Sequence, residues 1–396
     1  MPNTVPGFRL AIFYFWYFAF LGAYAPFWPL YLESVGLSAS QIGILLALVP
    51  VTRMVGPAFW GWLADRRGAR VPIVRATTVA TLVLFCGVFA GSAFAWLFAV
   101  MLAMNLFWSG SLPLVEATTM AHLGARAHGY GRIRAWGSVG FVLVVAVGGF
   151  VLDAAGVRSL PWLIAGLLLV HAVTAYLLPE AHSSARHDDD PGVGAIVRRP
   201  EVLALLLGCF LMSVAHGPYH TFYSIWLVGH GYSKADVGLL WGLGVVCEIA
   251  VFVGWSRLIG RLGARALLLF AYAAASLRFL LIGWVPDSVA VIIAMQVLHA
   301  ATFGCFHGAG VALTHRFFAG RHQSKGQALY SGVGFGAGGA VGGLASGLLW
   351  ENVGGGWTFT AGAVAAVVAM LVTARWLREP ADMREPVAVS GETPVT

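Results

Sequence analysis

Five ionisable side chains stand where hydrocarbon disfavours charge. Arg53, Glu248 and Arg278 lie deep inside long apolar runs, and Glu116 and Arg134 flank one short loop and point into one space. A charge near a bilayer centre costs at least about 2.5–3.5 kcal/mol on insertion scales, so such residues persist where they face water, one another or a cargo. The planar fork of a guanidinium donates two parallel hydrogen bonds to a carboxylate. With all five groups ionised, three positive charges meet two negative ones, and a carboxylate ligand would balance the set. Arg53, Glu116, Arg134, Glu248 and Arg278 are therefore the candidate substrate-binding residues. An imidazole titrates near neutral pH, which singles out His299 among the histidines. His216 and His220 lie one turn apart, a spacing that can hold a metal. No cysteine or carboxylate beside them completes a ligand set, and their bland reading is cavity lining or packing. No metal and no cofactor is expected.

The elements that must position these groups are membrane helices. The chain has 396 residues, of which 59% are hydrophobic and 10% charged, against roughly 25% charged in a soluble domain. Its mean hydropathy of +0.80 leaves no room for a large soluble domain. The net charge of +7 does not indicate nucleic-acid binding, because the arginines cluster in short loops and Lys234 and Lys325 are the only lysines. Cys86, Cys209, Cys247 and Cys305 fall in apolar runs without a CxxC pairing and read as small packing residues. The first apolar run is too long for a cleavable signal.

A helix crosses the hydrocarbon core with about 20 apolar residues. Twelve runs meet that length: 8–32, 39–63, 71–91, 94–121, 131–152, 160–179, 201–229, 237–259, 266–285, 287–314, 326–350 and 357–378. The stretch 180–200, with Asp188, Asp189 and Asp190 among arginines, reads as a solvated linker. It divides an N-terminal six-helix bundle (1–179) from a C-terminal one (201–378), with a cytoplasmic tail over 379–396. Loops taken with the span ends beside them, 64–75, 122–134, 180–200, 257–265 and 316–325, together with the two chain ends, hold all of the 24 Lys and Arg residues except Arg53, Arg158, Lys234 and Arg278. By the positive-inside rule both termini are cytoplasmic.

The halves repeat at an offset of 195 residues. GAYAPF at 22–27 returns as GPYHTF at 217–222, GLSASQIG at 36–43 as GYSKADVG at 231–238, and RRGAR at 66–70 as RLGAR at 261–265. At that offset Arg53 corresponds to Glu248, so one pseudo-symmetric position carries opposite charges in the two halves. A parallel repeat of six spans places a binding site near the membrane midplane between the repeats. Span 11 is dense in glycine, from Gly332 to Gly347, which permits close helix packing.

The segment GWLADRRGAR at 61–70 resembles the signature loop of the major facilitator superfamily. Gly61 would let helices approach closely, Asp65 would cap or pair near a helix end, and Arg66, Gly68 and Arg70 would complete a gating loop. Further segments resemble the lactose:proton symporter group: PLVEA at 113–117, YGRIRAWGSVG at 130–140, GVVCE at 244–248, Arg278 and LH at 298–299. Within that group, TRMVG at 52–56, GYS at 231–233 and QVLHAATF at 296–303 are similar to the phenylpropionate permeases. The resemblance implies an all-α membrane protein of twelve transmembrane helices in two six-helix bundles. It implies that Glu116 and Arg134 hold substrate in the first half, that Glu248 does so in the second, and that Arg278 and His299 belong to a proton-coupling cluster. Two positions depart from the group: its coupling carboxylate is Thr302 here, and a lysine one turn before the histidine is Gln296. The group's relay is therefore incomplete in this chain, and the resemblance leaves Glu116, Glu248 or His299 to carry the proton, or a different coupling.

The function expected is secondary active transport, proton-coupled uptake of a small aromatic carboxylate such as 3-phenylpropionate across a bacterial-type inner membrane. Sugar or nucleoside symport and efflux of small organic compounds are the alternatives. Phe27, Trp28, Trp136, Phe141, Tyr219, Phe222 and Tyr223 are candidates to wrap an aromatic ring. The partners are a small-molecule substrate, protons and the lipid bilayer, with no nucleic acid. There is no GxxxxGK[ST], HExxH or GxSxG segment, so ATP-driven pumping and the commoner hydrolytic chemistries are unsupported, and no enzyme activity is expected.

Overall fold

The computed structural model describes residues 5–181 and 192–379; the aspartate run 188–190 and tail residues 380–396 lie outside the described residues. All regular structure among the described residues is helical. Twelve helices are long and apolar enough to cross a membrane. They are α1 (Gly7–Ser34), α2 (Ala39–Arg67), α3 (Val71–Ala90), α4 (Phe94–Leu123), α5 (Tyr130–Ala155), α6 (Val157–Ala175), α7 (Pro200–Gly229), α8 (Lys234–Val253), α9 (Ala264–Trp284), α10 (Val289–Phe317), α11 (Gly320–Val353) and α12 (Gly355–Trp376). They form two six-helix bundles, α1–α6 and α7–α12.

One span differs from its expected course. The eighth run, read as 237–259, is helical as α8 only to Val253; Gly254 ends it, and Trp255–Leu262 forms a separate short helix. A continuous helix would carry Arg257 and Arg261 on a transmembrane axis. A separate one-sided helix keeps them at the surface while Trp255, Leu258 and Ile259 pack on apolar neighbours.

The internal repeat is visible in the backbone. Gly36 and Gly231, 195 residues apart, turn the chain with φ of +87° and +88°, a region open to glycine at little cost. Ser38 and Ser233 then cap α2 and α8 with matching capping boxes, completed by Gln41 and Asp236.

The bundles touch chiefly at the end of the molecule away from the termini, α2 against α11 and α5 against α8. Glycines make these contacts backbone-close. A Cβ at Gly43 would lie 2.8 Å from the Gly343 carbonyl, one at Gly238 would lie 2.2 Å from the Val145 carbonyl, and one at Gly149 would lie 2.3 Å from the Lys234 carbonyl. Two carboxylates cross the same seam. Asp153, near the end of α5, accepts from the backbone amides of Lys234 at 3.0 Å and Ala235 at 2.9 Å. Glu351, near the end of α11, accepts from Ser38 Oγ at 3.1 Å and the Ser40 amide at 2.9 Å. Each bundle thus supplies a charged acceptor to unsatisfied amides that begin a helix of the other.

Candidate functional site: a charged cleft between the bundles

The N-terminal bundle gathers its charges around Tyr17 of α1. Tyr17 is buried and stacks on Trp108 of α4, ring centroids 5.0 Å apart and planes within 9°. Arg53 of α2 lies over the Trp108 ring, 4.9 Å from its centroid, and the residue is exposed. A cation on an indole face gains about 0.5–2 kcal/mol, so Trp108 holds Arg53 in place without neutralising it. Glu116 of α4 accepts a 3.0 Å hydrogen bond from Tyr130 Oη. Arg134 of α5 rests 3.8 Å over Phe18. Tyr17 is within electrostatic reach of Arg53, Glu116 and Arg134 together.

In the C-terminal bundle, His299 Nε2 of α10 stands 4.0 Å from Glu248 Oε2 of α8. Two glycines make room for this pair. A Cβ at Gly244 would lie 3.1 Å from the His299 ring, and one at Gly304 would lie 3.5 Å from Glu248 Cγ. Directly after His299 the helix widens into a π-helical segment, Ala300–Cys305, an irregularity common at functional sites. Groups of the two halves come within electrostatic reach of each other, Arg134 of Glu248 and Arg53 of His220. His220 is exposed.

Arg278 is placed differently. It is fully buried and satisfied inside its own bundle. Nε donates to the Met295 carbonyl at 2.9 Å, Nη2 to Gln296 Oε1 at 2.8 Å and Nη1 to Thr302 Oγ1 at 3.4 Å. Its Cζ lies 4.1 Å over the Tyr219 ring, and Gln296 Nε2 donates to Tyr219 Oη at 3.3 Å. Gln296 and Thr302, the two departures from the symporter pattern, are thus the neutral cradle of this cation. A buried charge is tolerated when dipoles and hydrogen bonds surround it.

Several expected wall residues are core residues instead. Phe27, Trp28, Tyr219, Phe222 and Tyr223 are all at most 1% exposed. Trp28 donates its indole N–H to Met101 Sδ at 3.4 Å, and Phe222 stacks on Trp350 at 4.4 Å. Trp136 is exposed and Phe141 half-buried. The platform that sequence reasoning missed is Tyr17–Trp108; its only signal was the abundance of aromatics in the first and fourth runs. His216 and His220 stack at 5.8 Å, and His216 Nδ1 donates to the Met212 carbonyl at 2.8 Å. Among the described residues no group of three or more His, Cys, Asp or Glu gathers to hold a metal.

The signature loop sits at the terminus-facing end of α2. Gly68, with φ of +66°, ends the helix and donates its amide to the Asp65 carbonyl at 3.3 Å. Arg66 lies 5.5 Å over the Trp62 ring, and the amides of Arg70 and Val71 donate to Glu180 at 3.1 and 3.0 Å. The repeat preserves this last contact, since the Arg265 amide donates to Glu379. Gly61 does not serve a close approach: a Cβ there would meet nothing within 4 Å. The tight α2–α4 contact is at Gly56 and Gly110, where a Cβ would collide with Ser109 and Trp60. Of the glycines of span 11, Gly336 packs closely on Met54 and Gly347 on Gly43, while Gly332 faces open space.

Twelve membrane helices in two bundles around a charged cleft define a transporter of the major facilitator class. Residues 8–361 match the MFS_1 like family, and the chain belongs to that family. It is 31% identical to a probable 3-phenylpropionic acid transporter of Escherichia coli (strain K12), over 92% of this chain and 96% of that one. It is 28% identical to a maltose permease of Geobacillus stearothermophilus, over 91% and 92% of the two chains. Its fold superposes on the crystal structure of the nucleoside transporter NupG with a TM-score of 0.80 at 15% identity, covering 96% of this chain and 100% of that one. The protein is a multi-pass membrane transporter.

Proposed function

We propose that the protein imports a small aromatic carboxylate together with protons across a bacterial inner membrane, with both termini cytoplasmic. Residues 1–179 and 201–378 would rock as two halves joined by 180–200. The observation that carries the reading is Arg53. It is exposed at the cleft, held on Trp108, and among the described residues it has no carboxylate within ion-pair distance. A guanidinium fixed by an aromatic plate and left unpaired is suited to a carboxylate beside a ring. Arg134 on Phe18 repeats the arrangement. The relative named as a probable 3-phenylpropionic acid transporter supports the same substrate class. Glu248 and His299 are the proposed proton carriers, with Glu116 as a further candidate, because the pair combines a carboxylate and an imidazole in the second half of the cleft. Arg278 supports this pair from behind, through α10, rather than by touching substrate. The loop residues Gly61, Asp65, Arg66, Gly68 and Arg70 are assigned to gating.

Proteoliposomes with an inward proton gradient test the proposal. Accumulation of labelled 3-phenylpropionate, collapsed by an uncoupler and unaffected by excess maltose, is the expected result; maltose-sensitive uptake would replace it with the sugar reading. That second reading rests on Glu116 and Arg134, whose polar groups suit hydroxyls, and on the maltose permease relative.

A further inference from the structure

On the outer surface of the C-terminal bundle, α8, the short helix Trp255–Leu262, α9 and α10 enclose an apolar groove of about 540 Å³. Its floor is closed, with Leu267 and Cys305 at most 3% exposed, and its rim is open, with Leu262, Phe270 and Leu277 each more than half exposed. A buried floor between exposed rims makes a trough rather than the flat side of a helix bundle. From Leu267 to Leu277 the α9 wall rises ten residues, about 15 Å along a helix.

One end of the trough is charged. Leu258 and Leu262 line it from the short helix, and Arg257 and Arg261 occupy the flank of that same helix, one turn apart and both exposed. Among the described residues neither arginine makes an ion pair or a side-chain hydrogen bond. The helix joins the ends of α8 and α9 and therefore lies at headgroup level. The pseudo-symmetric positions of the N-terminal bundle lack the feature: Leu262 corresponds to Arg67 and Phe270 to Arg75, and Arg75 is engaged with the Tyr176 and Leu178 carbonyls.

We propose that this trough is a binding site for one anionic phospholipid, its acyl chain along α9 and α10 and its phosphate on Arg257 and Arg261. Paired guanidinium groups suit a phosphate, and an acyl chain is the apolar partner that a bilayer supplies. The site adjoins the machinery. Met295, on the trough wall, gives its carbonyl to Arg278, and Leu298 and Ala300 flank His299. An occupied trough therefore braces the helix that carries the imidazole. The assignment does not rest on the substrate or on proton coupling.

Native mass spectrometry of the purified protein, titrated with phosphatidylglycerol or phosphatidylcholine, tests it. The expected result is one tightly retained phosphatidylglycerol, at least tenfold preferred over phosphatidylcholine. The double variant Arg257→Gln/Arg261→Gln should lose that preference, while the matched charge loss Arg198→Gln/Arg199→Gln keeps it. Ala294→Trp, which fills the trough from its rim, should abolish retention with the arginines intact. Phosphatidylglycerol should also raise the melting temperature of the wild type and of the Arg198/Arg199 variant only. Equal retention by both double variants, retention undisturbed by Ala294→Trp, or a dimer that forms without lipid and is lost in Ala294→Trp would overturn the site.

Discussion

His299 of α10 faces Glu248 of α8 with 4.0 Å between Nε2 and Oε2, and two glycines, Gly244 and Gly304, set that separation. Gly244→Val places methyl groups against the imidazole and should separate the pair. Uptake driven by a proton gradient is then expected to fall at least tenfold with little change in membrane yield. Glu248→Gln should retain substrate exchange at equal concentrations on both sides while losing accumulation. Proteoliposome counterflow beside gradient-driven uptake separates the two; accumulation intact in Glu248→Gln removes it from proton coupling.

Arg53 is held by an aromatic face, so its charge and its fork can be tested apart. Arg53→Ala should abolish aromatic-acid uptake. Arg53→Lys keeps the charge but loses bidentate geometry, and substrate affinity should fall by roughly tenfold, about 1.4 kcal/mol. Trp108→Leu should act through Arg53 and raise KM more than it lowers kcat. Concentration-dependent uptake by each variant measures these values.

Arg278 calls for a different outcome. Its removal leaves Gln296 and the Met295 carbonyl without their partner in a sealed interior, and each orphaned buried group costs about 1–3 kcal/mol. Arg278→Ala should therefore lower the melting temperature in detergent by several degrees, along with any loss of transport. An unchanged melting temperature with uptake abolished would return Arg278 to direct substrate contact.

The close seam between the bundles predicts a conformational bias. Gly149→Val cannot sit against the Lys234 carbonyl, 2.3 Å from a Cβ at that position, and should hold the seam apart. Spin labels on cysteines at Ala154 and Gly229, with the native cysteines replaced, should report a longer distance in Gly149→Val than in the parent. Asp153→Ala, which removes a helix-start acceptor of about 1 kcal/mol, should broaden the distribution without shifting it fully.

Much of this was readable in the chain. Run lengths gave the twelve helices, and the 195-residue offset paired Arg53 with Glu248. Cation pairing and burial were not readable. Nothing in the sequence separates the exposed Arg53 from the sealed Arg278, since both interrupt apolar runs and only packing decides which faces the cleft. Gln296 and Thr302 were visible as departures, but their joint role depends on a side chain reaching from another helix. Phe27 and Trp28 looked like cleft wall because periodicity in a membrane helix does not tell a core face from a wet one. Asp153 and Glu351 drew no notice, because each meets a partner more than 80 residues away.

Those two carboxylates bear on leakiness. They fasten opposite edges of one interface, each anchored in a different half. In a rocking cycle both must release whenever that end opens, so weakening either should tilt the resting balance toward the state open on that side rather than pierce the barrier, which the opposite end still closes.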